Sequence, residues 1–374
     1  MLQMKKSIVI KATNACNLSC LYCYDRRRPR ITSDRKTIVV SEVVALLSQS
    51  LPVPSQILIV LHGGEPLLIG KGEFAEIMRE MRCANLQGHT FKLAIQTNAT
   101  LLDDSWVDVL AEANDLFGER GIGISIDGPS KINDVVRVTR DLKGSSELIE
   151  SAIGRLKKHG VDFGLLCVVG THNVNSPEDV YTYFAGLSPG FIRFIPCFDL
   201  DETGQIASYA ITPMQYTEFL VRCYDIWLSD RTSFIPVDPF VSIIANLSGV
   251  DSPWCEYEKK SKCQGFVLVD DNGGVASCDN WGDRADRKEE LSIFSMSNSK
   301  LYDVLSYPAK STNIPIKSKN LMRMCLGCDV EDICCGGCLA TRDEYLNKNE
   351  ALYHEYCAAK KELIAHLERS LSLI

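Results

Sequence analysis

The chain has 374 residues, 45% of them apolar and 24% charged, a globular balance with no long disordered tail. A formal net charge of −8 disfavours a broad phosphate-binding surface and argues against nucleic acid as the main partner. No run approaches the ~18–20 apolar residues of a membrane span, and "SIVIKAT" is too short for the ~7–15 apolar residues of an export signal. A cytoplasmic chain with no membrane partner is expected. Sixteen cysteines in such a compartment point to metal or redox chemistry rather than disulfides.

Along the first two-thirds, short β-rich apolar runs recur at residues 7–12, 56–63, 91–98, 121–127, 162–170 and 191–197. Helical patterns lie between them, for example from residues 72 and 105. Apolar runs alternating with helices read as buried parallel strands in βα units. Six such units, closed by a helix over residues 212–228, fall short of the eight in a complete barrel. They predict an α/β fold, a partial (β/α)6 TIM-like barrel over residues 1–234. The basic run "DRRRPR" over residues 25–30 is short and reads as a solvated loop. From residue 235 the alternation stops, and glycine, aspartate and cysteine become dense. A small cysteine-rich domain over residues 235–374 is expected, ending in a helix whose apolar positions are spaced by three and four.

The loop after the first strand, "TNACNLSCLYCYD", carries Cys16, Cys20 and Cys23. Three thiolates are too few for a structural zinc site, but they can hold three irons of a 4Fe–4S cluster and leave the fourth iron open. The aromatic Tyr22 stands just before the third cysteine. "HGGEP" follows the second strand with Gly63, Gly64 and Glu65, "QTNAT" the third with Gln96 and Asn98, and "SIDGP" the fourth with Ser125. Strand ends are the mouth of such a barrel, where its chemistry sits. Jointly, these motifs resemble the radical S-adenosylmethionine (radical SAM) superfamily. The resemblance implies that S-adenosylmethionine chelates the open iron through its amino and carboxylate groups. It also implies that the glycine–glycine–glutamate segment binds the methionyl ammonium, and that Gln96, Asn98 and Ser125 line the co-substrate pocket. Arg137 and Arg140 are candidate partners for its ribose or carboxylate.

The second cysteine set runs Cys263-x9-Gly273-x4-Cys278, then Cys325-x2-Cys328-x5-Cys334-x3-Cys338, then Cys357. With Cys255 these are enough for two fully ligated 4Fe–4S clusters. The pattern resembles the SPASM domain, the auxiliary-cluster extension of radical SAM enzymes that modify peptides and proteins. By that resemblance Cys255, Cys263, Cys278 and Cys338 hold an inner cluster and Cys325, Cys328, Cys334 and Cys357 an outer one. Cys83, Cys167, Cys197, Cys223 and Cys335 are left over, with Cys167 and Cys197 read as small buried hydrophobes.

The implied enzyme uses three 4Fe–4S clusters and S-adenosylmethionine, whose reductive cleavage yields a 5′-deoxyadenosyl radical that takes a hydrogen atom from the substrate. An external electron donor such as flavodoxin or ferredoxin is expected. Oxidation of a substrate radical usually releases a proton, so a base near the inner cluster is wanted. Asp279, directly after Cys278, matches the aspartate that serves as base in sulfatase-maturing members. His62 is a second candidate for the substrate channel. Length and the "SIDGP…ND…R" segment are close to the sulfatase-maturing group, and no extra N-terminal domain for gripping a leader is seen. "CLYCYDRRRP" departs from that group's usual "C-x-Y-C-F-Y". The expected activity is therefore maturation of a ribosomally made peptide by a side-chain crosslink (cyclophane or thioether), with formylglycine synthesis on a sulfatase as the alternative. Two other classes remain: a non-catalytic iron–sulfur electron carrier, which would not need "HGGEP", and a nucleic-acid-modifying radical enzyme, which would need a basic face.

Overall fold

The computed structural model describes residues 4–23, 39–230, 234–252, 254–259, 262–271, 273–276, 278–282, 293–295, 301–302, 305 and 314–372. The basic run at residues 25–30 lies outside them. So does the side chain of Asp279, although its backbone is described.

Six parallel strands form in chain order: β1 (Met4–Thr13), β2 (Ser55–Gly63), β3 (Thr90–Thr97), β4 (Phe117–Ser125), β5 (Gly164–Val169) and β6 (Ile192–Pro196). Each has alternate residues on opposite faces. Ile57, Ile59 and Leu61 of β2 are buried towards the helices, as are Phe91, Leu93 and Ile95 of β3. Leu58, Val60 and His62, like Ala94 and Gln96, lie half-buried on the other face, which is the barrel interior. The helices between the strands, α1 (Val40–Ser50), α2 (Gly70–Leu86), α3 (Asp104–Glu112), α4 (Ser130–Val136), α5 (Ser146–Lys158) and α6 (Pro177–Gly186), cover the outer face. The closing helix α7 (Pro213–Ser229) starts at a capping box in which Thr212 and Gln215 exchange hydrogen bonds.

The partial barrel is as expected, but its sheet is wider than six strands. A two-residue strand, β7 (Val237–Asp238), continues it beyond β6. At the opposite edge β8 (Phe266–Val269), from the cysteine-rich region, pairs parallel with β1 and is itself paired antiparallel with β9 (Val275–Ala276). The sheet order is β7-β6-β5-β4-β3-β2-β1-β8-β9. Both sheet edges of the barrel thus carry a strand from beyond residue 234. The final helix, Glu350–Leu371, returns to α7, placing Leu363, Ile364 and Leu367 at 0–1% exposure in the main core. Each such side chain contributes roughly 1.5–3 kcal/mol by burial. Among the described residues no helix is long and apolar enough to cross a membrane.

Candidate functional site

The three-cysteine loop is clamped at the barrel mouth by main-chain hydrogen bonds on two sides. Gly64 N–H donates to the Thr13 carbonyl and Glu65 N–H to the Ala15 carbonyl, both at 2.8 Å. Across the loop, Ser19 N–H donates to Val138 O at 2.7 Å and Leu21 N–H to Val136 O at 3.0 Å. The glycine pair is needed for the first clamp. A Cβ on Gly63 (φ +129°) would stand 2.4 Å from Thr13 O, and one on Gly64 would stand 2.0 Å from Ala15 O. The close approach these glycines permit is to the cysteine loop itself.

Glu65 is fully buried and turned inward. One carboxylate oxygen accepts from Leu67 N (3.0 Å) and from the Thr97 hydroxyl (2.7 Å), the other from Asn98 N (2.8 Å). Burial pushes its carboxyl up to about 7 against these three donors. Its side chain is a strut joining the ends of β2 and β3. Asn98 continues the strut, donating to Asn17 Oδ1 at 2.9 Å and standing 3.8 Å from Cys16 Sγ.

A second strut centres on Asp127, in the "SIDGP" motif but not singled out in the sequence. Its buried carboxylate accepts from Val168 N (2.9 Å) and from Arg137 Nη2 (3.1 Å), with Arg137 Nε at ion-pair distance (3.0 Å), and takes the Tyr22 hydroxyl as a further donor. His172, also missed, stacks on Tyr22 with ring centroids 5.6 Å apart, its Nε2 3.4 Å from Asp127. Burial alone would raise the Asp127 carboxyl; Arg137 first, then His172 and Tyr22, outweigh it and hold it at about 2. Arg137 is therefore the buried partner of Asp127 rather than an exposed loop arginine. Arg140 is exposed and donates to the Cys16 carbonyl at 2.6 Å.

Asp127→Asn is expected to destabilise the protein by about 3–5 kcal/mol, because Arg137 would be left as an uncompensated buried charge. Urea unfolding measures this. The native carboxyl is held below its unfolded value of about 3.9. Its stabilisation is thus complete above about pH 4 and fades as pH falls towards 2 in the wild type only.

Strand register puts Ser125, Leu166 and Arg193 in one row, since Ser125 pairs with Leu166 and Leu166 with Arg193. Ser125 and Arg193 are half-buried there; Gln96 and His62 occupy the same interior face one strand-step lower. The Arg193 guanidinium lies 4.2 Å over the ring of Trp254, the residue before Cys255. One arginine therefore spans from the mouth row to the cysteine-rich region.

The cysteines gather in three sets, and none is in a disulfide. Burial pushes Cys16 up to about 12, with Cys20 and Cys23 adding to the rise. Burial likewise raises Cys278, which feels Cys338, Cys263 and Cys255. Cys334, pushed up to about 11 by burial, feels Cys325, while Cys357 feels Cys325 and Cys328. Thiols whose ionisation burial opposes, as at Cys16, Cys278 and Cys334, are donors whose charge a multiply charged metal centre would relieve. Among the described residues no three side chains converge enough to share one ion. Sulfurs that each bind their own iron of a four-iron cube stand further apart than the ligands of a single ion. Cys335 is buried, with its sulfur turned to Asn246 Nδ2 at 3.6 Å. Cys167, Cys197 and Cys223 are buried and Cys83 is exposed.

Residues 10–184 match the radical SAM superfamily. A serine-type anaerobic sulfatase-maturating enzyme of Bacteroides thetaiotaomicron is 26% identical over 96% of this chain and 89% of its own. A cysteine-type anaerobic sulfatase-maturating enzyme of Clostridium perfringens is 28% identical over 96% and 95%. The solved structure of native anSMEcpe with bound AdoMet and Cp18Cys peptide is 27% identical, with a TM-score of 0.80 over 98% of this chain and 97% of that one. Streptococcus suis SuiB bound to S-adenosylmethionine shares the fold at 16% identity and a TM-score of 0.62, covering 92% of this chain and 75% of that one. The cysteine loop at the partial-barrel mouth falls within residues 10–184, and this enzyme carries a radical SAM domain there.

Proposed function

We propose that this enzyme oxidises a cysteine or serine side chain of a protein or peptide substrate to formylglycine, as a sulfatase-maturing enzyme. The observation that carries this reading is end-to-end likeness: the relatives named for sulfatase maturation align with 96% of the chain, cysteine-rich region included. This favours the alternative of the sequence reading over its first choice. A crosslinking peptide maturase has SuiB's fold in its favour, at an identity that speaks for the fold alone.

On this reading Cys16, Cys20 and Cys23 would hold a 4Fe–4S cluster at the mouth. Cys255, Cys263, Cys278 and Cys338 would hold an inner auxiliary cluster, and Cys325, Cys328, Cys334 and Cys357 an outer one. When bound, the mouth cluster with S-adenosylmethionine supplies a 5′-deoxyadenosyl radical that takes a hydrogen atom from the substrate. The chain's own residues position the reaction. The Glu65 and Asp127 struts fix the loop; Arg140 borders the cleft beside Cys16, and Gln96, Ser125, His62 and Arg193 face a substrate in the interior. That space lies between the mouth set and Trp254–Cys255, where a substrate could lose its electron to the auxiliary sites. Asp279 is assigned the accompanying proton. Residues 1–234 supply the six main strands of the catalytic barrel, and residues 235–374 extend its sheet and carry the electron-accepting cysteine sets.

Anaerobically reconstituted enzyme, given S-adenosylmethionine, dithionite and either the Cp18Cys peptide or its serine counterpart, is expected to yield an aldehyde at that residue, read by hydrazine trapping and mass spectrometry. 5′-Deoxyadenosine without aldehyde from either peptide would overturn the assignment. Loss of two hydrogens without an aldehyde would move it to crosslinking.

A further inference from the structure

Arg342, on the helix Leu339–Lys348, is only 2% exposed. Its guanidinium donates through one terminal nitrogen to Cys325 Sγ at 3.2 Å and to the Gly336 carbonyl at 3.1 Å. The other donates to the Leu321 carbonyl at 3.3 Å and to the Tyr353 hydroxyl at 2.9 Å, with the guanidinium carbon 5.4 Å over the Tyr353 ring. The cradle is fitted to it: Gly336 has φ +76°, and a Cβ there would stand 3.2 Å from the arginine and 2.6 Å from Met322 Sδ. Among the described residues no carboxylate lies within ion-pair distance of Arg342. A buried guanidinium without an anion is costly. The groups at hand that become anionic on holding a metal are the sulfurs of Cys325, within hydrogen-bond reach, and Cys357, further off.

The other cations near this set are already matched. Lys360 is held by Glu256 and by the Tyr257 hydroxyl at 2.9 Å, and the exposed Lys361 pairs with Asp329 at the surface while also reaching Cys328 from the solvent side. The inner set is treated differently. Its sulfurs receive neutral donors, Trp281 N–H to Cys278 and Asn280 Nδ2 to Cys338, both at 3.4 Å. Its neighbouring cations point elsewhere: Lys262 donates to the carbonyls of Cys255 and Glu256, and Arg193 stacks on Trp254. Among the described residues, the outer set alone has a permanent charge donating directly to a ligand sulfur.

We propose that Arg342 raises the reduction potential of the outer cysteine set above that of the inner one, so that the electron leaving the substrate collects at the outer site. The inference rests on reading these two sets as 4Fe–4S ligands. Reduction there adds one electron and no bond forms or breaks. The site gains one negative charge, which a cation one hydrogen bond away stabilises. Hydrogen bonds to sulfur and local charge are the levers that set such potentials. Arg342 touches no substrate and acts through Cys325.

The test is a dithionite titration of the anaerobically reconstituted full-length protein, followed by electron paramagnetic resonance, with iron counted in each sample. The outer couple is the one lost in Cys325→Ala, and in the wild type it is expected to be the more positive of the two auxiliary couples. In Arg342→Gln the iron should stay near about twelve per chain. At a fixed potential, the reduced-to-oxidised ratio of that couple should fall about tenfold, which is about 59 mV for one electron. Arg342→Lys, which keeps the charge but not the fork, should show a smaller fall. An unchanged outer couple with full iron in both variants overturns the proposal. If Arg342→Gln sheds iron, the lysine variant decides by the same criterion. Failure of the underlying reading looks different: the wild type would hold about four irons, or zinc in the C-terminal sets.

Discussion

Replacing Cys16, Cys20 and Cys23 together with alanine is expected to abolish cleavage of S-adenosylmethionine and to remove roughly a third of about twelve irons, while the protein stays folded. The last clause follows from how the loop is built. Its four anchoring hydrogen bonds, at Thr13, Ala15, Ser19 and Leu21, use backbone atoms only. Among the side chains, Tyr22 through Asp127 and Asn17 through Asn98 and Thr100 tie it down, while Cys16 contributes only weak sulfur contacts from Leu18 N–H at 3.4 Å and Asn98 at 3.8 Å. Alanine keeps a Cβ at each position and asks nothing new of the backbone. Stability should therefore change by far less than in Asp127→Asn, whereas chemistry should stop. Iron analysis, thermal unfolding and 5′-deoxyadenosine measured by chromatography separate the two effects. Retained cleavage in the triple variant, or zinc bound by the wild-type loop, would overturn the assignment of these three residues.

That contrast shows which parts of the site could be seen in the sequence. The cysteine spacings, the glycine pair and the strand-end motifs are local, and strands with one face buried against helices carry a local apolar signal. The six barrel strands and their order were legible for this reason. Pairing between distant segments was not. β8 carries only four residues, and nothing local says that it extends the barrel sheet by pairing with β1. The same limit hides the partners of charged side chains. Arg137 looks like a loop arginine until α4 places it against Asp127, ten positions earlier. Glu65 looks like a ligand-facing acid until β3 supplies its donors from Thr97 and Asn98. Arg193 joins Ser125 only through two steps of strand register, and Arg342 meets Cys325 only when the C-terminal helices close. The gly-gly pair was visible, but its neighbour was not: the structure packs it against the cysteine loop rather than leaving it open.

Asp279→Asn is expected to break the link between radical formation and product. Asp279 opens a one-turn helix, Asp279–Gly282, immediately after Cys278. The turn wraps the inner cysteine set: Trp281 N–H reaches Cys278 Sγ, and the Asn280 amide reaches Cys338 Sγ. The Asp279 backbone is thus fixed beside two thiols of the proposed electron acceptor, where on the proposed mechanism a proton would leave as the substrate radical loses its electron. Asparagine keeps the shape of aspartate and removes its basicity. Binding of S-adenosylmethionine and hydrogen abstraction should persist, so 5′-deoxyadenosine should still form. A well-placed general base is worth about 10²–10⁴-fold in rate, and modified peptide should fall by that order. With the proton retained, the abstracted hydrogen can return, and deuterium placed on the substrate carbon should scramble between peptide and nucleoside. The measurement is the ratio of modified peptide to 5′-deoxyadenosine under matched turnover. A wild-type ratio in Asp279→Asn would remove this residue from the mechanism and turn the search for the proton acceptor to His62, half-buried on the interior face of β2.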